Sequence, residues 1–158
     1  MSQAVRNARA HALSNSVLPE VPSGDGLSAE ALRDPKLREA LSPAAVRLFL
    51  ALVDQWGLTV DQRRTLLGDV SRQTYHNWQR GRVATLSRDQ LERISLLLGI
   101  HKGLKLLFAD EGGARRWFTS PNRDLPFASR SPLERALAGS IDDLYAVRRY
   151  IDAWRGMT

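Results

Sequence analysis

The chain has 158 residues, 43% of them hydrophobic, a formal net charge of +6 and no cysteine. That is enough apolar matter for one or two small domains, and it excludes disulfide scaffolds, thiol nucleophiles and thiolate metal sites. No apolar run approaches the ~20 residues that span a bilayer, and His11, His76 and His101 lie too far apart in sequence to form the closely spaced pairs typical of metal sites.

The charge is unevenly spread. Residues 1–58 carry six basic and six acidic side chains, residues 59–102 carry eight and four, and residues 110–158 carry eight and seven. The basic excess sits mid-chain, where it marks a candidate surface for a polyanion.

In chain order, residues 1–26 hold Arg6 and Arg9 and end in Pro19, Pro22, Ser23, Gly24 and Gly26, the chemistry of a tail or linker. Residues 27–41 predict one or two short helical pieces with a break before Pro35. Ser42 and Pro43 then read as a helix start, a capping serine followed by a first-turn proline. Val46, Phe49, Leu50, Val53 and Trp56 continue it at helical spacing, and Gly57 stops it. A second helix is expected over 59–67, ended by Gly68, and a third from Ser71 to Gly81. Ser87 caps a fourth, with Leu91, Ile94, Leu97 and Leu98 inward and Gly99 after it. Residues 104–108 form a further helical turn or a short fifth helix.

Asp110, Glu111, Gly112 and Gly113 read as a boundary. A helix over 114–119 follows, broken by Ser120 and Pro121, and 120–131 is a loop. Ser131 and Pro132 open another helix, and Gly139 and Ser140 divide it from a last one over 141–155. There Leu144, Val147, Ile151 and Trp154 share a face. No stretch alternates with period two, so the fold class is all-α.

The informative stretch is 66–81. Two helices meet at a tight turn marked by Gly68, Val70 plugs the gap, and Ser71 caps the second helix. Val70, Tyr75 and Trp78 are spaced to pack inward together, which turns Arg72, Gln73, His76 and Asn77 the other way. Gln and Asn can pair bidentately with adenine, and Arg with guanine, in the major groove. Arg63, Arg64, Arg80, Arg82 and Arg88 surround them as candidate phosphate clamps. Ser71 and Thr74 stand at the end of the helix that enters a groove first.

The pattern Leu67-Gly68-x-Val70-Ser71-Arg72-x-Thr74-Tyr75-x-x-Trp78-x-x-Gly81 resembles the helix-turn-helix of the Cro/Xre class. Asp69 lengthens its turn by one residue, which leaves the start of the recognition helix open by about one position. In the C-terminal part, Trp117, Pro121, Asn122, Leu125, Phe127, Pro132, Leu133, Gly139 and a final helix ending at Gly156 are similar to the toxin-binding domain of the Xre/MbcA/ParS antitoxin family. The resemblance spans roughly residues 42–158 and leaves the tail unexplained. It implies a Cro/Xre-like helix-turn-helix bundle over 42–109, also carrying dimerisation, and a small helical toxin-binding domain over 110–158. Residues 1–41 precede both as a tail with short helices.

The resemblance also implies a function. Such antitoxins bind a toxin with a RES domain, an enzyme that depletes NAD, and block its active site with their C-terminal region. The complex binds the palindromic operator of its own operon. Carried onto this chain, toxin contact falls on Arg148, Arg149, Tyr150, Trp154, Arg155, Gly156, Met157 and Thr158, although Trp154 reads equally as a core residue. The implied protein is a cytoplasmic, bacterial homodimer with no cofactor and no catalysis. Asp142, Asp143 and Asp152 have no histidine partner and suit a polar helix face, and no nucleophile stands with an acid and a base. The alternative is a stand-alone Cro-type repressor whose C-terminal module only dimerises or binds another partner.

Overall fold

The computed structural model describes residues 31–156, in which every regular element is helical. The expected tail over 1–26 and the start of the segment 27–41 lie outside the described residues. A single 3-10 turn, Ala31–Arg33, leads into α1, Pro35–Gln55. Next come α2, Val60–Leu66, α3, Arg72–Gln79, and α4, Arg88–Leu107. The chain continues with α5, Glu111–Thr119, α6, Pro132–Ala136, and α7, Ile141–Gly156. The described residues form two compact units, which divide between Leu98 and Gly99, upstream of the expected boundary at 109/110.

In the first unit, α1 starts earlier than the sequence suggested. Asp34 caps it, accepting the Lys36 N–H at 3.0 Å, with Pro35 in the first turn. Pro43 therefore lies inside the helix, and the expected boundary at 41/42 falls within it. The Ser42 hydroxyl donates to the Arg38 carbonyl at 2.6 Å and accepts the Leu86 N–H at 2.9 Å. The group that would have capped a helix at Ser42 instead ties the segment before α4 to the middle of α1. Pro43 cannot donate to the carbonyl of Glu39, but both residues are exposed, where water can replace that bond.

Val46, Phe49, Leu52 and Val53 of α1 are buried, together with Leu66, Leu67, Tyr75, Trp78, Leu91, Ile94 and Leu97. Phe49 meets Trp78 edge-to-face, with ring centres 6.3 Å apart. Gly57, with φ +66°, ends α1 where a left-handed residue is needed.

In the second unit, α4 does not stop at Gly99 and no separate helix forms over 104–108. Gly99 and Gly103 sit inside it, and each marks a close approach by α7. A Cβ at Gly103 would lie 2.4 Å from Cγ2 of Ile151, and one at Gly99 would fall 1.5 Å from the Arg148 guanidinium. Glycine here serves closeness rather than termination, so local sequence alone misreads it. Ile100, Leu104, Phe118, Phe127, Leu144, Val147, Ile151 and Trp154 fill this core.

The Asp110–Glu111 segment, read as a boundary, is the start of α5, where the Asp110 carboxylate accepts the Gly113 N–H at 2.6 Å. Ser131 and Glu134 form a reciprocal capping box for α6.

Gly103→Ala is expected to lower the melting temperature. Its overpacking cost of about 1–3 kcal/mol exceeds the helix-propensity gain of about 1 kcal/mol, because Ile151 is fully buried and has no room to retreat. An unchanged or higher melting temperature would overturn this. A second prediction concerns His101, whose pKa burial lowers to about 4, with Lys105 adding to the effect. The folded pKa lies below the unfolded one, so this stabilisation is present above pH 6.5 and drains away as pH falls toward 4. Denaturant melts across that window are expected to show a decline that His101→Phe flattens.

Candidate functional site

The turn between α2 and α3 decides how the recognition helix is presented. Gly68 has φ +78° and Asp69 has φ +63°, so two successive residues adopt left-handed backbone. Glycine does so without strain, and aspartate is among the side chains that tolerate it. Val70 follows and is buried, and Ser71 caps α3 by accepting the Thr74 N–H at 3.0 Å. The extra turn residue is thus absorbed by Asp69, and the recognition helix begins at Arg72.

Tyr75 and Trp78 face the core. Arg72, Gln73 and His76 are exposed and Asn77 is half-buried, so the four expected reading residues share the outer side. Gln73 donates its side-chain N–H to the Asn77 side-chain carbonyl at 3.1 Å, which aligns the two amides. Arg80 and Arg82 follow at the exposed end of the helix, where Gly81 with φ +78° turns the chain and the Arg82 N–H bonds the Asn77 carbonyl at 2.8 Å. The hydroxyls of Ser71 and Thr74 bond each other at 2.9 Å, which commits both to the cap.

Arg63 and Arg64, expected as phosphate clamps, point inward instead. Arg63 donates to the Leu58 carbonyl at 2.8 Å, to the Tyr75 hydroxyl at 2.9 Å and to Asp54, and its side chain is only 14% exposed. Burial alone would lower its pKa, but the bonds to Tyr75 and Asp54 hold it above the ordinary arginine value. Arg64 donates from Nε to the Val70 carbonyl at 2.7 Å and from its terminal nitrogen to Asp61 at 3.0 Å. Arg63 ties α2 to the segment before it and to α3, and Arg64 is a strut of the turn, because carbonyls at crowded helix ends need donors. Asp61, which sequence reasoning did not single out, also accepts from Arg72 at 3.0 Å. Its spacing of three from Arg64 was the available signal.

The second unit sorts the expected toxin-binding residues differently. Trp154 is buried against Phe108 and Trp117, with ring centres 6.1 Å and 5.6 Å away, so it belongs to the core. Arg148 is half-buried over Gly99 and donates to both oxygens of Asp152, at 3.0 and 3.1 Å. Arg155 is half-buried beside the same carboxylate. Tyr150 stacks on Trp117 at 5.9 Å, and its hydroxyl donates to Asp124. Burial and the Asp124 carboxylate push the Tyr150 pKa up to about 12, so it remains a donor at neutral pH. Arg149 is exposed, with its guanidinium 5.8 Å from the centre of the Tyr145 ring, and Gly156 is exposed at the end of α7. Met157 and Thr158 lie outside the described residues.

The described residues thus join a helix-turn-helix with a polar outer face to a second helical module. Residues 36–99 match the antitoxin Xre-like helix-turn-helix domain, and residues 104–156 match the antitoxin Xre/MbcA/ParS C-terminal toxin-binding domain. The uncharacterized protein y4oB of Sinorhizobium fredii (strain NBRC 101917 / NGR234) is 38% identical over 122 residues, which cover 77% of this chain and 92% of that protein. The chain belongs to the Xre/MbcA/ParS family of antitoxins, with a DNA-binding helix-turn-helix and a toxin-binding domain. No helix among the described residues is long and apolar enough to cross a membrane.

The division between struts and reading residues is testable. Arg64→Ala is expected to cost about 1–3 kcal/mol in stability, the loss from a charged hydrogen bond to a half-buried carbonyl. Arg72→Ala should change stability by less than about 0.5 kcal/mol, since its ion pair is exposed. Chemical denaturation of the two variants checks this, and equal losses would refute the division.

Proposed function

We propose that this antitoxin neutralises a NAD-depleting toxin of the RES-domain class and represses its own operon by binding a palindromic operator as a homodimer. The observation that carries this reading is the succession, in one chain, of a helix-turn-helix match and a toxin-binding match. On the DNA side, Arg72, Gln73, His76 and Asn77 face outward from α3 to read bases. Exposed Arg80 and Arg82, with Arg88 at the start of α4, supply phosphate contacts. One recognition helix covers half of a two-fold operator, which is the reason for a dimer.

On the toxin side, the exposed end of α7 with Arg149 and Gly156, continued by Met157 and Thr158, occludes the toxin's active site. Tyr150 and Arg155 support it from its half-buried face. The protein works in the bacterial cytoplasm, beside its operon. It contributes no catalysis of its own; neither of its domain families is enzymatic.

Co-expression with the RES-domain protein of its operon tests the reading. The wild-type chain is expected to form a stable complex and to preserve cellular NAD. Arg72→Ala combined with Asn77→Ala should weaken operator binding by at least tenfold, at about 1–3 kcal/mol per lost base contact, while NAD stays protected. Arg149→Glu should show the reverse pattern. A wild-type chain that neither binds the toxin nor protects NAD, yet still binds operator DNA, would overturn the RES assignment and leave a stand-alone repressor.

A further inference from the structure

We propose that Leu125 is the apolar anchor through which this chain grips its toxin, entering an apolar socket on the toxin surface. This rests on the toxin-binding reading above and adds to it a contact away from the C-terminal end of α7.

Leu125 is 84% exposed; the other large hydrophobic residues counted as exposed, Val60 and Leu106, reach 41% and 46%. A lone surface leucine is ordinary. What sets this one apart is the rigidity of the backbone that holds it out. The Asn122 N–H bonds the Arg130 carbonyl at 3.0 Å and the Ser129 N–H bonds the Asn122 carbonyl at 2.8 Å, closing the loop at its neck. The Asp124 N–H bonds the Asn122 side chain at 2.9 Å, and the Asp124 carbonyl accepts the Phe127 N–H at 2.8 Å. On the far side, the Pro126 carbonyl accepts from Arg135 at 2.8 Å, and the Phe127 side chain is fully buried. Leu125 is thus fixed on both flanks, so little ordering remains to be done when a partner covers it.

The place of the loop says what covers it. Leu125 lies within the toxin-binding match and next to Asp124, the carboxylate that holds the Tyr150 hydroxyl of α7. Arg123 and Arg130 are exposed on either side of it in the loop. With Arg123, Asp124 and Arg130 all exposed in the same loop, Leu125 is an apolar centre with a polar rim of mixed charge, the usual make-up of a contact patch.

The test measures affinity of the full-length chain for the purified RES-domain toxin of its operon by calorimetry, with operator binding and thermal unfolding in parallel. Leu125→Asp is expected to weaken toxin binding about thirtyfold or more, the size of a hot-spot loss, with operator affinity and melting temperature unchanged. Leu125→Met is expected to keep affinity within a few-fold. Unchanged toxin affinity for Leu125→Asp overturns the assignment of the loop alone. So does a fall in oligomer mass with toxin affinity intact, which would make the loop a self-association contact. A wild-type chain that does not bind the toxin overturns the parent reading and this one with it.

Discussion

Two short helices, α2 and α3, packed within a few residues of their neighbours, leave carbonyls that no helix can satisfy, and arginines satisfy them here. Arg63 reaches the Leu58 carbonyl, Arg64 the Val70 carbonyl, and Arg93, itself bonded to Asp89 at 2.8 Å, lies 3.4 Å from the Leu66 carbonyl. Guanidinium suits the task because it presents several donors in a plane and stays charged. The orientation of α3 depends on these bonds as much as on Val70, Tyr75 and Trp78 beneath it. The basic excess of residues 59–102 therefore divides into a structural share and an outward share, and only the second can meet a phosphate.

That division explains what sequence could and could not reveal. Helix existence, the inward set Val70, Tyr75 and Trp78, and the outward set Arg72, Gln73, His76 and Asn77 were legible because periodicity and capping are local. The roles of Arg63 and Arg64 were not, since an inward and an outward arginine look alike until their partners are placed. Ser42 misled for the same reason. Its hydroxyl serves the Leu86 N–H, a partner 44 positions away in the chain. Gly99 read as a stop, because a glycine that admits a neighbouring helix has the same local signature as one that ends its own.

In the second unit the aromatic residues do what apolar periodicity could only outline. Trp117 lies within stacking or edge distance of Phe108, Phe127, Tyr150 and Trp154. The α7 pattern of Leu144, Val147, Ile151 and Trp154 was visible in sequence, and it placed Trp154 in line with core positions. The loop that carries Asp124 and Phe127 was legible only as a loop, since its order comes from Tyr150 and Arg135, which follow it in the chain.

The outward residues of α3 make few demands on the scaffold that presents them. Among the described residues Arg72 is tied only to the exposed Asp61, Gln73 and Asn77 bond each other, and His76 is exposed, while the cap and the core belong to Ser71, Tyr75 and Trp78. Positions that bear no weight in folding can drift without penalty. On the proposed reading of α3 as the base-reading helix, a lineage duplicating this gene could rewrite the DNA address one residue at a time, keeping every intermediate folded, and so run several such modules side by side in one genome without cross-talk.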